Sequence, residues 1–117
     1  MRKTLKFKPE LAKLILSGQK TSTWRLWDDK NMQAGDTVNF LIKDNLEHFA
    51  TAQITETCVW DLGSLSNEEK FGHETYASEE EMYKVFSGQY GREVNAQTPV
   101  KVIWFELIKD PPPFQDI

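Results

Sequence analysis

The chain has 117 residues, 39% of them hydrophobic and 27% charged, with a formal net charge of −4. This is the composition of one ordinary globular domain with a single core. No apolar run approaches the roughly 20 residues that a membrane span needs, and the acidic balance argues against broad, non-specific nucleic-acid binding.

"KTLKFK" alternates and predicts a first strand over residues 3–7. Pro9 suits the first turn of a helix. Leu11, Leu14 and Ile15 fall at i, i+3 and i+4 and give it one apolar stripe, and Gly18 ends it. "LSGQKTSTWRLWDD" follows, and from Thr21 the residues alternate again. A strand there puts Thr21, Thr23 and Arg25 on one face and Ser22, Trp24 and Leu26 on the other. "AGD" at 34–36 is a turn, and "TVNFLIK" is a strand with Val38, Phe40 and Ile42 on one side. "KDN" at 43–45 turns into a long strand over about residues 49–59. Ser66 with Glu69 forms a capping box that opens a short helix, and Ser78 with Glu81 opens a better one. Met82, Val85, Phe86 and Tyr90 are expected to be the buried stripe of that second helix, and Gly91 stops it. "VKVIWFELI" at 100–108 is apolar on both faces, the mark of a central strand. The domain is expected to span residues 1–109. Residues 110–117 form a proline-rich tail, expected to be extended or mobile.

The order β-α-β-β-β-α-α-β, with five or six strands, predicts an α+β fold: a small closed or half-open β-barrel with two to three helices packed over its ends. Such a barrel leaves a cleft where a helix-strand turn meets the rim. The N-terminus lacks the apolar core of a secretory signal. Cys58 is the only cysteine, so no internal disulfide is possible. The expected compartment is cytoplasmic. With His48 and His73 as the only histidines, a structural zinc site is not expected.

Charge is distributed unevenly. Residues 1–43 carry nine Lys/Arg against four Asp/Glu, and residues 44–117 carry five against fourteen. Either the two parts attract each other in the fold, or the first presents a basic patch to an anionic or polar ligand.

Lys20, Thr23 and Arg25 bring an amine, a hydroxyl and a guanidinium within six residues of a helix stop. "GQKTSTWR", Gly18 to Arg25, resembles the Gly-x-Lys-x-x-(Glu or Thr)-x-Arg signature of the ASCH domain, a member of the PUA-like barrel superfamily. The order of elements around it is similar too. So are "AGD" ahead of a strand, "HETYASEEEMYKVF" with an acidic residue ahead of a helix, and the closing apolar strand. With Thr23 at the position where many relatives carry glutamate, the chain is similar to the small N4-acetylcytidine amidohydrolases. The resemblance implies Lys20, Thr23 and Glu74 as catalytic residues. Glu74 matches by its place before the helix, and a neighbour in that segment is the alternative.

Hydrolysing an amide needs a nucleophile, a proton acceptor and a donor to the leaving amine. Thr23 is a weak nucleophile until a base takes its proton. Lys20 is that base if its pKa falls. Glu74 then serves as the acid or holds the substrate. Arg25 is suited to an oxyanion, or to a ribose or phosphate oxygen. Trp27 is the better candidate for stacking on a base, and Tyr76 a second. Neither metal nor other cofactor is required.

Plainer readings stand beside these. Lys20 can simply stabilise a helix C-terminus, Thr23 can be a strand residue, and Arg25 can pair with Asp28 or Glu74. His73 tunes the site or is polar surface. Trp24 and Trp60 are expected in the core, and Cys58 is read as a small buried hydrophobe. The functional alternative to an amidohydrolase is a non-catalytic module that binds RNA or a modified nucleotide. A nuclease is disfavoured, because the chain has neither a histidine pair nor a carboxylate-metal cluster.

Overall fold

A computed structural model describes residues 2–108. The elements run β1 (Lys3–Phe7), α1 (Pro9–Leu16), β2 (Ser22–Leu26), β3 (Thr37–Ile42), β4 (His48–Asp61), a single 3-10 turn at Leu62–Ser64, α2 (Asn67–Lys70), α3 (Glu79–Tyr90) and β5 (Pro99–Ile108). The proline-rich tail lies outside the described residues.

The strands form one curled sheet in the order β1-β3-β4-β5-β2. β1 runs parallel to β3 and every other pairing is antiparallel. β1 and β2 are the two edges and do not pair with each other, so the half-barrel is open along one seam. β5 sits between β4 and β2 and buries residues on both faces, as its two-sided apolar pattern implies. Ile103 and Phe105 join one hydrophobic cluster with Leu5, Phe7, Val38, Phe40 and Ile54, closed by Ile15 of α1. Val100 and Val102 join a second with Trp24, Leu26 and Leu62, closed by Met82 and Phe86 of α3.

The helix signals act as the sequence implies. The Glu69 carboxylate accepts from the Ser66 N–H at 2.8 Å and from the Ser66 hydroxyl at 2.6 Å. The Ser78 hydroxyl accepts from the Glu81 N–H at 3.1 Å, satisfying one of the free donors at the start of α3. α1 stops where Gly18 takes a φ of 84°, a conformation a side chain would strain.

Three packing expectations need correction. Trp60 is not a core residue: half of its surface is exposed. β3 pairs only with residues 48–53 of β4, so the far end of β4 extends past its neighbour and carries Val59 and Trp60 outward. Cys58, nearby, is half-buried rather than buried. On α3, Met82 and Phe86 are buried, but Val85 is 41% exposed. Val85 instead faces the open seam, beside Gln89 and Tyr90.

Candidate functional site

The seam between β1 and β2 is a cleft of about 310 Å³, a volume at the lower end of small-molecule sites. Leu5, Phe7 and Leu11 wall one side, and Thr23, Trp24 and Arg25 the other. His73, Glu74 and Tyr76 come in from the loop before α3, with Phe86 and Tyr90 from α3 itself.

The pairing register aims part of the β2 backbone into this seam. The Phe105 N–H donates to the Thr21 carbonyl, and β2 and β5 run antiparallel with Thr23 opposite Ile103. Thr21, Thr23 and Arg25 therefore bond toward β5, while Ser22, Trp24 and Leu26 turn their N–H and C=O groups away from it. The Ser22 N–H is taken by the Gly72 carbonyl and the Leu26 N–H by the Tyr90 hydroxyl. The same register points the Trp24 N–H and C=O to that side too, a donor and an acceptor side by side.

Lys20 is the centre of the charge arrangement. It follows the α1 stop and is only 2% exposed, which is rare for a lysine without a partner. The partner is Glu74: the Lys20 ammonium donates to its Oε1 at 2.5 Å. Burial holds the Lys20 ammonium below the usual lysine range, against the opposing pull of Glu74. On the carboxylate, burial pushes upward, and His73 and Lys20 together bring it net below the ordinary glutamate value. The Glu74 side chain keeps 24% of its surface open while Lys20 keeps 1%. The carboxylate therefore meets the cleft, with the amine behind it.

Glu74 reaches this position because its loop is pinned to β2. The Thr21 and Ser22 N–H groups both donate to the Gly72 carbonyl, at 2.8 and 3.2 Å. Gly72 has a φ of 82°, and a Cβ there would lie 2.1 Å from the Thr21 hydroxyl oxygen. Gly72→Ala is accordingly expected to destabilise the fold by about 1–3 kcal/mol and to lower any activity of the cleft more than the loss of folded protein explains. Thermal unfolding alongside a rate assay checks both.

His73 is buried, with its ring stacked on the Trp24 indole at 3.7 Å and 9°. Its Nδ1 lies 2.9 Å from the Glu74 carbonyl, which can only accept, so Nδ1 carries the proton. Burial and the nearby Lys20 charge push the imidazole pKa down to about 4. Between about pH 4 and 6.5 the unfolded chain therefore binds a proton that the folded chain refuses, and stability falls as pH falls through that window. Glu74, depressed as well, adds loss in the same direction at lower pH. The unfolding free energy should drop toward acid with a slope of up to about 1.4 kcal/mol per pH unit from His73. That part of the slope should vanish in His73→Phe, as urea titrations at several pH values would show.

The remaining sequence candidates fall into different places. Thr23 is 9% exposed and lines the cleft beside Glu74. Tyr76 lines it too, and burial and the Glu74 charge raise its pKa, so it stays a neutral phenol. Arg25 lines the cleft, but its guanidinium is tied to Asp28 at 3.7 Å and Asp29 at 3.4 Å. Trp27 lies beyond the end of β2 with a φ of 51°, so the strand's alternation does not extend to it. It packs edge-on against Tyr90 at 5.5 Å and under Arg92 at 3.8 Å, and meets the cleft only through Tyr90. Sequence reading missed the His73–Trp24 stack and the Gly72 anchor. The signals were present as a Gly-His-Glu run, but nothing in one sequence pairs that run with β2. Among the described residues no group of His, Cys, Asp and Glu is arranged to hold a metal ion, and no helix is long and apolar enough to cross a membrane.

No family model and no curated protein matches the sequence, whereas several solved structures share its fold. A DUF984 protein from Enterococcus faecalis superposes with a TM-score of 0.78 at 17% identity, covering 92% of this chain and 80% of that one. An ASCH domain from Lactobacillus crispatus gives 0.68 at 17% identity, over 90% and 79%. The ASCH protein from Zymomonas mobilis gives 0.61 at 17% identity, over 88% and 65%. The chain thus has the fold of the ASCH-domain structures, a small five-stranded half-barrel with helices packed on it.

Proposed function

We propose that the protein is a metal-independent amidohydrolase that removes an acyl group from the exocyclic nitrogen of N4-acylcytidine-type nucleosides. The observation that carries this reading is that Glu74, ion-paired to the buried Lys20, lines the same cleft as Thr23. A buried pair of this kind seldom adds net stability over an apolar equivalent. It does keep a proton movable between two groups beside a potential nucleophile.

Lys20 passes a proton to Glu74 and becomes a neutral amine, a transfer that the burial of both groups favours and their ion pairing opposes. The amine takes the Thr23 hydroxyl proton as the oxygen attacks the acyl carbon. The tetrahedral intermediate collapses, the C–N4 bond breaks, and Glu74 gives its proton to the departing nitrogen. Water then cleaves the threonyl ester, releasing the carboxylic acid and restoring the hydroxyl. Trp24 offers its backbone N–H and C=O to the N3 acceptor and N4–H donor of the cytosine edge. Tyr76 supplies a ring for the base, Arg25, held by Asp28 and Asp29, a guanidinium at the cleft wall for an oxygen, and Trp27 packs against Tyr90.

Incubation with N4-acetylcytidine tests this, with cytidine and acetate followed by chromatography. Stoichiometric release of both is the expected result. No release above the protein-free control would overturn the reading.

A further inference from the structure

The rim of the cleft carries charge that the hydrolysis itself does not use. Lys6 of β1, Lys8 just before α1 and Lys43 just after β3 all line it. Most other cations of the basic first third are occupied. Lys3 pairs with Asp36, Lys20 with Glu74, and Arg25 with Asp28 and Asp29. Lys30 donates to the Thr4 carbonyl at 2.7 Å. Lys6, Lys8 and Lys43 form no ion pair among the described residues. The carboxylates lining the cleft are Glu10 and Glu74, and Glu74 is already neutralised by Lys20. Among the described residues, three lysines without an ion pair therefore line the cleft against one carboxylate without one, Glu10, around a site suited to a neutral base.

Like charges gathered without counterions repel one another and are eased by an anion that binds among them. A phosphate monoester carries close to two negative charges at neutral pH, with three acceptor oxygens for lysine donors. A polynucleotide fits less well: the rest of the chain, residues 44–117, holds fourteen Asp/Glu against five Lys/Arg, which opposes a long phosphate track. We infer that Lys6, Lys8 and Lys43 form a phosphate subsite, and that the substrate is an N4-acylated cytidine monophosphate rather than the bare nucleoside. The inference rests on the amidohydrolase reading for the reaction, but not for the binding of phosphate.

The experiment has a kinetic and a binding arm. In the first, kcat/KM is compared for N4-acetylcytidine, for its 5′- and 3′-monophosphates, and for a short RNA containing the same base. One monophosphate should exceed the nucleoside by roughly ten- to a hundredfold, the range expected for hydrogen bonds to a charged group. Its advantage should shrink with added salt. In Lys6→Ala/Lys8→Ala/Lys43→Ala the ratio of monophosphate to nucleoside should fall toward one, whereas a purely structural effect would lower both substrates together. In the binding arm, calorimetry compares cytidine monophosphate with cytidine on the wild type and on the triple variant. Equal kcat/KM for nucleoside and monophosphates would overturn the subsite and leave the hydrolase standing. Tighter binding of the monophosphate, lost in the triple variant, would uphold the subsite even if nothing were hydrolysed. A higher kcat/KM for the RNA than for either monophosphate would overturn the mononucleotide assignment.

Discussion

Lys20→Met is expected to lower N4-acetylcytidine turnover by at least about 100-fold, the lower end of what a positioned proton-transfer group contributes. The same change removes the partner of a carboxylate that retains 24% of its side-chain surface. Stranding a fully buried charge costs about 3–5 kcal/mol. Glu74 can still reach water, so the loss of stability should lie at or below the bottom of that range. Lys20→Met/Glu74→Gln replaces both charges with neutral groups of similar size. It should recover most of the lost stability, because no unpaired charge remains, yet recover none of the turnover. A double variant that is both stable and active would reduce the pair to a structural role. Unfolding in urea and rates on the same preparations give both readouts.

Thr23→Val keeps the shape of the side chain and removes its hydroxyl. Thr23 lies opposite Ile103 on a strand that favours β-branched residues, so the fold should tolerate valine with little change in unfolding midpoint. Turnover should fall by about 100-fold or more if the hydroxyl is the nucleophile, while Thr23→Ser should keep a substantial part of it. The serine variant separates nucleophile from scaffold. A group that only packs would suffer more from losing its methyl than its hydroxyl, and valine would then be the better-tolerated change. Mass spectrometry of protein quenched during turnover provides a second view, since acyl-enzyme would carry its added mass on the peptide containing Thr23.

The parts of this fold that follow from local rules could be read in the sequence. Strand alternation gave the places of β1, β2 and β3. The serine caps opened α2 and α3, and the two-sided apolar run of Val100 to Ile108 marked β5 as central. Residues whose surroundings depend on the sheet's edges could not be read this way. Trp60 looks like a core tryptophan until β4 is seen to outrun β3. Val85 belongs to the apolar stripe of α3 by spacing, but at the open seam that stripe has no strand to cover it. Trp27 obeys the alternation on paper, and a positive φ directly after Leu26 turns it aside.

The site divides along the same line. Lys20 and Thr23 lie three residues apart, and a motif could present them together. Glu74 is 54 positions from Lys20, and its reach depends on contacts between the 71–74 segment and the start of β2: the Gly72 carbonyl held by the Thr21 and Ser22 N–H groups, and His73 stacked on Trp24. The burial of Lys20 was equally hidden. A lysine after a helix stop normally faces water, yet Lys20 is buried with Glu74 of the following loop as its partner.

A crystal structure of Thr23→Val soaked with N4-acetylcytidine tests the central claim most directly. The account predicts a ligand in the seam between β1 and β2, with its acyl carbon beside residue 23, Glu74 within hydrogen-bond reach of N4, and the cytosine edge along the Trp24 backbone. A ligand bound elsewhere, or seated in the seam with its acyl group turned away from residue 23 and Glu74, would contradict it.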